Sequence, residues 1–427
     1  MGKQYSIKKY YRAVDFIESL ASLYVDHHIS PETRLRYFKD FMRTLGSPQK
    51  KYKIIHIGGT AGKGSVSSLI HLALVNAGYK VGLYTSPHTT TTIERIKIDN
   101  RYIAAEGFYN ILKKIKPKMH DVPVPPNYFG LLVAIAFQYF AEEKCDYVVL
   151  ETGIGGDLDT TNIVPPPVAT IITNVGKDHT DILGKTLIEI AGHKAGLIKR
   201  NTEFFTSESN AKVLKLFRNR CKEKKANFTH IEPNGEMFDI VNAKLAQAVV
   251  DKLGVKTKIT NTMIKKSAKL PCRQEIIQQK PMVMLDGAHN PAKIEALKSY
   301  VIKSKKKVKY LIIGVSGNKD WRSILKTITP LAENIILTRF ISSRRSTVSP
   351  LKMYQYLKKQ RPKFKTEVFW DPLEALNSVL KRAKKQDFIL ITGSMYLTGE
   401  VRRHWISEKY ILRTRKCFKN GNGNSNH

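Results

Sequence analysis

Short apolar runs alternate with helical patterns along most of the chain. In the first half the runs are KIIHIG (53–58), VGLYTS (81–86), YVVLETG (147–153) and VATIITNVG (168–176), each rich in Val and Ile and ending in small or polar residues. Apolar positions at helical spacing follow the first run at 64–77, precede the third at 128–143 and follow the fourth at 185–198. Continuous β-branched runs separated by helices predict parallel strands buried on both faces. The first half should therefore form a doubly wound, mostly parallel sheet with helices on both sides. A second series repeats the alternation with PMVMLDG (281–287), KYLIIGVSG (309–317), NIILTRF (334–340), KTEVFW (365–370) and DFILITGS (387–394). Its helical patterns lie around 291–303, 321–332, 350–359 and 372–384. Periodicity is lost across KKSAKLPCRQEII (265–277). The expected organisation is a larger α/β domain over 1–269 with an N-terminal helical extension, a smaller Rossmann-like α/β domain over 270–412, and a disordered tail over 413–427 ending in the low-complexity NGNGNSNH.

Composition narrows the class without changing this picture. Hydrophobic residues make up 42% and charged residues 25%, which are globular values. There is no run of eighteen apolar residues, so no membrane span is expected, and MGKQYSIKKYYRAVDF lacks the apolar segment of a secretory signal. Cys145, Cys221, Cys272 and Cys417 form no CxxC pair, which fits a reducing, cytoplasmic compartment and argues against a cysteine metal site. Lys and Arg number 72 against 36 acidic residues, a net charge of +36. Such a surface attracts polyanions. Yet KSKKK (303–307) and KRAKK (381–385) sit beside helical patterns as solvated faces, and no RNA-binding signature appears. The expected partners are small molecules, with no specific nucleic acid and no membrane, and the chain is expected to act as a monomer.

The stretch HIGGTAGKGSVSSLIHLAL (56–74) sits where a phosphate loop belongs, after a strand and before a helix. Glycines at 58, 59, 62 and 64 let backbone N–H groups approach oxyanions, and the helix N-terminus adds partial positive charge. Lys63 supplies a point charge, and Ser65 can cap the helix or ligate Mg²⁺. The strict GxxxxGK[ST] spacing fails, because Ile57 stands at the first glycine and Gly64 separates Lys63 from Ser65. A plain Gly-rich strand-to-helix turn is the competing interpretation. Ser86, Glu151 and His179 each follow one of three successive strand runs, where a doubly wound sheet gathers its site. Lys194 reads as a helix-face lysine. Asn242 reads as the N-cap of NAKLAQAVVDKL, and DGAHNP (286–291) as a turn with an Asn-Pro helix start.

The spacing Gly59-Thr60-Ala61-Gly62-Lys63-Gly64-Ser65 resembles the Mur ligase superfamily, and within it the folylpolyglutamate synthase and dihydrofolate synthase family. Further matches keep family order from about residue 50 to 401. TSPH (85–88) with ERIKID (94–99) resembles SPH…ERI, and ETGIGGDLDTTN (151–162) resembles EVGLGGxLDATN. ITNVGKDHTDILGKTLIEIAGHKAG (172–196) resembles ITxIxxDH…LG…EKAG. LPCR (270–273) resembles LPGR, DGAHNP resembles DxAHNP, GNKD (317–320) resembles a K-D turn, and ITGSMYLTGEV (391–401) resembles the closing GSxxxxGEV. The resemblance implies an ATP- and Mg²⁺-dependent ligase that adds L-glutamate to tetrahydrofolate, and also to dihydropteroate, through an acyl phosphate. It assigns metal ligation to Ser86, Glu151 and His179, and catalysis to Lys63, Glu151, His179 and Lys194, the last matching a carbamylated lysine. It assigns ATP contacts to Thr60, Gly62, Lys63, Gly64, Ser65, Asn242, Arg273 and Asp286, with His289 near that last loop.

The chain departs from the family at Ala61 (usually Asn), at His193 (often Glu), at Asp157 (Arg of GGRLD), at Asn127-Tyr128-Phe129-Gly130 (TxFE) and at Pro31-Glu32-Thr33-Arg34 (GLxR). The positions at 127–130 and 157 lie near the family's pteroate pocket, so the ATP half of the site is matched more closely than the acceptor half. A Mur-type ligase for a cell-wall precursor is the alternative enzyme, disfavoured because residues 1–52 leave no room for a further nucleotide-binding domain before the first strand run. A basic nucleic-acid-dependent NTPase would need the strict Walker spacing. A non-catalytic binding module would not keep Lys63, Glu151, His179 and Lys194 together.

Overall fold

The computed structural model describes residues 2–23, 29–341, 346–360 and 365–418. The chain forms two units, Met1–His88 with Thr92–Ala268, and Thr89–Thr91 with Lys269–His427.

The first unit is built on strands β1 (Lys53–Gly58), β2 (Val81–Tyr84), β3 (Ile96–Ile98), β4 (Arg101–Tyr102), β5 (Tyr147–Glu151), β6 (Ala169–Ile172), β7 (Glu203–Thr206) and β8 (Asn227–His230). They form one sheet in the order β4-β3-β2-β5-β1-β6-β7-β8. Pairing is parallel from β2 to β8, and β3 and β4 add an antiparallel edge. β1 therefore lies between β5 and β6, and a site gathers at the carboxyl ends of these three strands. Side chains alternate along β1. Ile55 and Ile57 pack under the helices Lys63–Asn76 and Phe238–Lys252, with Val66, Leu69, Leu245 and Val249. His56, between those two isoleucines, points to the opposite face. The helical extension comprises Gly2–Leu23 and Pro31–Thr44, the second capped by Ser30, which accepts from Thr33 N at 3.2 Å.

All four strand runs of the first half are strands; β1 fills its run, and the other three end earlier than their apolar runs. The helix expected over 185–198 is instead two helices, Thr180–Leu183 and Leu187–Ala195. Gly184, with φ +95°, breaks between them, and a Thr186–Glu189 capping box starts the second.

In the second unit β9 (Glu275–Gln279), β10 (Met282–Leu285), β11 (Val308–Ile313), β12 (Ala332–Leu337), β13 (Lys365–Val368) and β14 (Phe388–Thr392) form a sheet in the order β13-β12-β11-β14-β10-β9. All pairs are parallel except β10 with β9. The expected tail begins too early. The helix Glu408–Thr414 crosses residue 413, and the fully buried Arg402 binds Glu275 and donates through Nη2 to the Cys417 carbonyl. NGNGNSNH (420–427) lies outside the described residues.

Thr89–Thr91 packs with this second unit although the sequence on either side belongs to the first. Arg403 Nη2 donates to Thr90 O at 3.1 Å. Gly399 in the helix Met395–Arg402 faces Thr89, where an added Cβ would lie 2.0 Å from the Thr89 carbonyl oxygen. The glycine of the GEV motif is therefore required by close backbone approach. No described helix is long and apolar enough to cross a membrane.

Candidate active site

The phosphate loop leaves β1 and turns into the helix Lys63–Asn76, whose N-cap is Gly62 at φ +81°. Ser65 is the third residue of that helix and does not cap it. The loop is held by the segment after β6. Thr60 N donates to Asn174 O (2.9 Å), Ala61 N to Asn174 Oδ1 (2.9 Å), and Thr173 Oγ1 to Ala61 O (2.5 Å). Thr60 Oγ1 accepts from Gly176 N at 2.9 Å and donates to Gly176 O at 3.2 Å. Asn174 and Thr173 were legible as the T-N of ITNVG but carry a supporting role that strand patterning does not reveal.

Lys63 Nζ donates to Gly59 O at 2.9 Å, and Lys194 Nζ donates to the same oxygen at 3.1 Å. Lys194 is buried. A residue that reads as a helix-face lysine thus enters the phosphate loop from a helix 135 positions away. Two ammonium groups on one carbonyl lie within about 6 Å of each other and repel. An anion placed between them would be held strongly, because both charges are fixed before it arrives. Asn242 also reaches this loop. The expected N-cap role does not hold, since its helix begins at Phe238 and is capped at Met237 without a side-chain bond. Asn242 Oδ1 instead lies where a Cβ on Gly62 would meet it at 2.8 Å, so the side chain abuts the turn.

Ser86 and Glu151 meet at the ends of β2 and β5, where Ser86 N donates to the buried Glu151 carboxylate at 3.4 Å. His179 lies further along the segment that holds Thr60. Its backbone is left-handed (φ +51°), and its Nε2 is 4.0 Å from Asp178 Oδ1. Among the described residues no three His, Cys, Asp or Glu side chains form a ready-made metal cluster. A carboxylate and a hydroxyl at adjoining strand ends suit Mg²⁺, which keeps waters and takes phosphate oxygens, better than a metal that needs a full protein cage.

Two polar contacts flank this core. His56 Nε2 lies 2.8 Å from Thr161 Oγ1, which donates to Asp159 Oδ1 at 2.5 Å. The hydroxyl is thus committed as a donor, so His56 carries its proton on Nε2, and its buried Nδ1 has no partner. Burial, with the Lys199 charge behind it, lowers the His56 pKa to about 3. Asp159 also accepts from Ile154 N (2.7 Å) and Thr161 N (2.9 Å), and burial pushes its pKa up. Together these bonds pin the loop after β5 to β1. On the outer side of that loop, His193 Nδ1 lies 3.0 Å from both oxygens of Asp157. The two departures at 157 and 193 are therefore one contact, an acid and an imidazole facing each other.

A cavity of about 140 Å³ opens beside this loop. Pro31, Arg34, Phe38, Pro126, Asn127, Gly130, Leu158 and Thr160 line it. It joins the segments 31–34, 127–130 and 157–160, which the sequence leaves as separate departures. Asn127 caps the helix Tyr128–Glu142 by accepting from Gly130 N at 2.9 Å.

Arg273 and Asp286 lie together in the second unit. Asp286 accepts from Gln274 N (2.9 Å) and Ala288 N (2.8 Å); burial raises its pKa, and the Arg273 charge opposes that. Cys272, at the Gly of LPGR, is left-handed at φ +56°. His289 Nδ1 is 2.7 Å from Gly287 O and its Nε2 is 3.3 Å from Lys293 Nζ. Asn290 caps the helix Pro291–Lys303, as the Asn-Pro signal predicts.

The Mur ligase middle-domain profile matches residues 57–273, and the profile of the dihydrofolate synthetase C-terminal domain matches 268–404. The dihydrofolate synthase/folylpolyglutamate synthase of Bacillus subtilis is 30% identical over 86% of this chain and 93% of its own. The chain belongs to the dihydrofolate synthase/folylpolyglutamate synthase family. Within this family, the folylpolyglutamate synthase of Lacticaseibacillus casei is 27% identical over 93% of this chain and 100% of its own. The crystal structure of the Mycobacterium tuberculosis folylpolyglutamate synthase complexed with ADP superposes with a TM-score of 0.82 at 25% identity, covering 94% of this chain and 99% of that one. The Thermotoga maritima folylpolyglutamate synthase gives 0.76 at 28% identity over 95% and 97%. The fold class is that of family structures, with two mostly parallel α/β sheets.

Proposed function

We infer that this chain is an ATP-dependent ligase that joins L-glutamate to the carboxylate of a folate. The observation that carries this reading is the convergence of Lys63 and Lys194 on Gly59 O inside the phosphate loop. Lys63 meets the outer phosphates of ATP, with the N–H groups of Gly62, Gly64 and Ser65 around them and Thr60 holding the loop's shape. Asn242 lies where it can touch the nucleotide across Gly62. The family resemblance assigns ATP contacts to Arg273 and Asp286 as well. The folate carboxylate attacks the γ-phosphorus, ADP leaves, and the acyl phosphate then takes the amine of glutamate and releases phosphate. Ser86, Glu151 and His179 would hold Mg²⁺, which supplies charge neutralisation for the transferred phosphoryl group. Glu151 is the buried carboxylate next to that charge, and both Lys63 and Lys194 neutralise negative charge as it builds.

Lys194 has a second role open to it. As a carbamate, it would turn the repulsion with Lys63 into attraction and give the metal region an anion. The acceptor lies in the cavity bounded by Arg34, Phe38 and Asn127, where dihydropteroate or tetrahydrofolate is the ligand. The enzyme works in the cytoplasm, consistent with four cysteines that are all free thiols.

Phosphate release from ATP, measured with dihydropteroate and with tetrahydrofolate, should require glutamate. Lys63→Ala and Glu151→Ala should each lower it by roughly 10²-fold or more with unchanged melting temperature. Stripping dissolved CO₂ should lower the wild-type rate, and bicarbonate should restore it. Glutamate-independent release, or normal ligation by folded Lys63→Ala, would overturn the assignment.

A further inference from the structure

A hollow of the first unit lies away from the phosphate loop. Its volume is about 450 Å³, and Lys199, Arg200, Arg220, Glu223, Lys224 and Lys225 line most of it. Lys199 and Arg200 precede β7, and Lys224 and Lys225 precede β8. Both strands run parallel with β6 and β1. The hollow therefore sits at the edge where the strands begin, and the phosphate loop at the edge where they end.

Its charges are not balanced from within. Glu223 is the one carboxylate in the lining, and it is engaged by Arg220 Nη1 at 2.9 Å. Arg200, Lys224 and Lys225 have no acidic partner among the described residues. Lys199 turns its amine inward, donating to the carbonyls of Asn162 (3.0 Å) and Val164. Burial, and then the charge of Lys39, lowers the Lys199 pKa to about 8.

The ordinary account of such lysines is the helix dipole. The helix Ala211–Lys224 ends here with Lys225 left-handed, and cations near a C-terminus are favourable. That accounts for Lys222 and Lys224. It does not account for Lys199 and Arg200, which come from the segment after another helix, nor for a concave shape that gathers their charge in one place. Low-dielectric walls focus such a field.

We propose that this hollow is a second anion site, which binds a small multivalent oxyanion at the opposite edge of the sheet from the phosphate loop. Phosphate and carboxylate groups share the chemistry that Arg200, Lys224 and Lys225 recognise. Two sources can supply it, a phosphorylated metabolite or the row of carboxylates on a γ-glutamyl chain. The second source rests on the ligase reading above, whereas the site itself does not.

The test is direct binding to the full chain, by calorimetry, of tripolyphosphate and of tetra-γ-glutamate, with an ATP analogue saturating the phosphate loop. One of the two should bind, and the tighter one identifies the source. Arg200→Glu/Lys225→Glu should weaken that binding by at least about 10-fold. Lys212→Glu/Lys215→Glu makes the same charge change at exposed positions on the far, N-terminal part of the same helix and should weaken it less than about 2-fold. Circular dichroism checks that both variants fold, and Lys224→Gln provides a milder change in the same direction. Equal losses in the two double variants would mean a diffuse field and overturn the proposal. So would loss of binding in Lys63→Ala, no binding of either anion, or tighter binding of single-stranded RNA than of both.

Discussion

Asp157 and His193 are 39% and 34% exposed, so their pair contributes little to stability, about 1 kcal/mol or less. Its value lies in position. Asp157 N also donates to His193 O at 2.8 Å, and Asn162 Nδ2 reaches Asp157 O (3.0 Å) and Gly196 O (3.2 Å). Lys194 follows His193, and Leu158 lines the cavity assigned to the acceptor. One contact therefore fixes both the lysine in the phosphate loop and the rim of the pocket. Reversing one partner should disturb both, and reversing both should restore them. We expect Asp157→Arg alone to lower kcat/KM for the acceptor by about 3- to 10-fold, and Asp157→Arg/His193→Glu to return it to within about 2-fold. Steady-state kinetics with varied acceptor and fixed ATP checks this, and equal loss in the single and double variants would count against it.

At the scale of elements, β1 and its loop are the most legible part of the molecule. Their apolar run ends in glycines, and the helix begins at once. What rides on β1 is less legible. His56 occupies one position of a strand whose neighbours, Ile55 and Ile57, announce burial on the other face, and nothing local says that Thr161 is its partner. The relay has a measurable signature. The His56 pKa falls to about 3 in the folded chain, against about 6.5 when exposed. The unfolded state therefore binds the proton first as pH falls, so the stability present above pH 6.5 is lost progressively towards pH 3, on the order of 5 kcal/mol in all. Buried His71, also lowered by burial, acts in the same direction. The melting temperature should drop steeply from pH 6 to pH 4, and His56→Asn should flatten that slope; an unchanged slope would remove His56 from the account. The same limits explain other differences. β9 reads EIIQQ with one buried residue, because it is an antiparallel edge strand lacking the apolar run of its neighbours. β7 (EFFT) and β8 (NFTH) hold two and one apolar residues and so form no run that stands out. Asn242 looks like a cap because its residue type and spacing are right, but the apolar face of its helix starts earlier at Val241. Lys194 is invisible to periodicity, since its role depends on which loop its helix faces.

At the scale of the molecule, the chain leaves the first unit after His88, gives three threonines to the second unit, and returns. The fit at Gly399 leaves no room for a methyl group, so Gly399→Ala should destabilise the second unit by about 1–3 kcal/mol, read as a lower-temperature calorimetric transition. Gly192→Ala meets nothing within 4 Å and should be neutral or slightly stabilising. No shift for Gly399→Ala would mean that Thr89–Thr91 moves aside freely. The same three residues tie the finished shape to the order of manufacture. Thr90 and Arg403 are separated by 313 positions. At ribosomal speeds of roughly 5–20 residues per second, Thr90 is made some 15–60 seconds before the guanidinium that will hold its carbonyl. Ser86 and His88 sit immediately upstream of that anchor. A polypeptide released before Arg403 would carry the whole phosphate loop yet lack the guanidinium that receives Thr90, so early termination leaves the 89–91 segment without that tether.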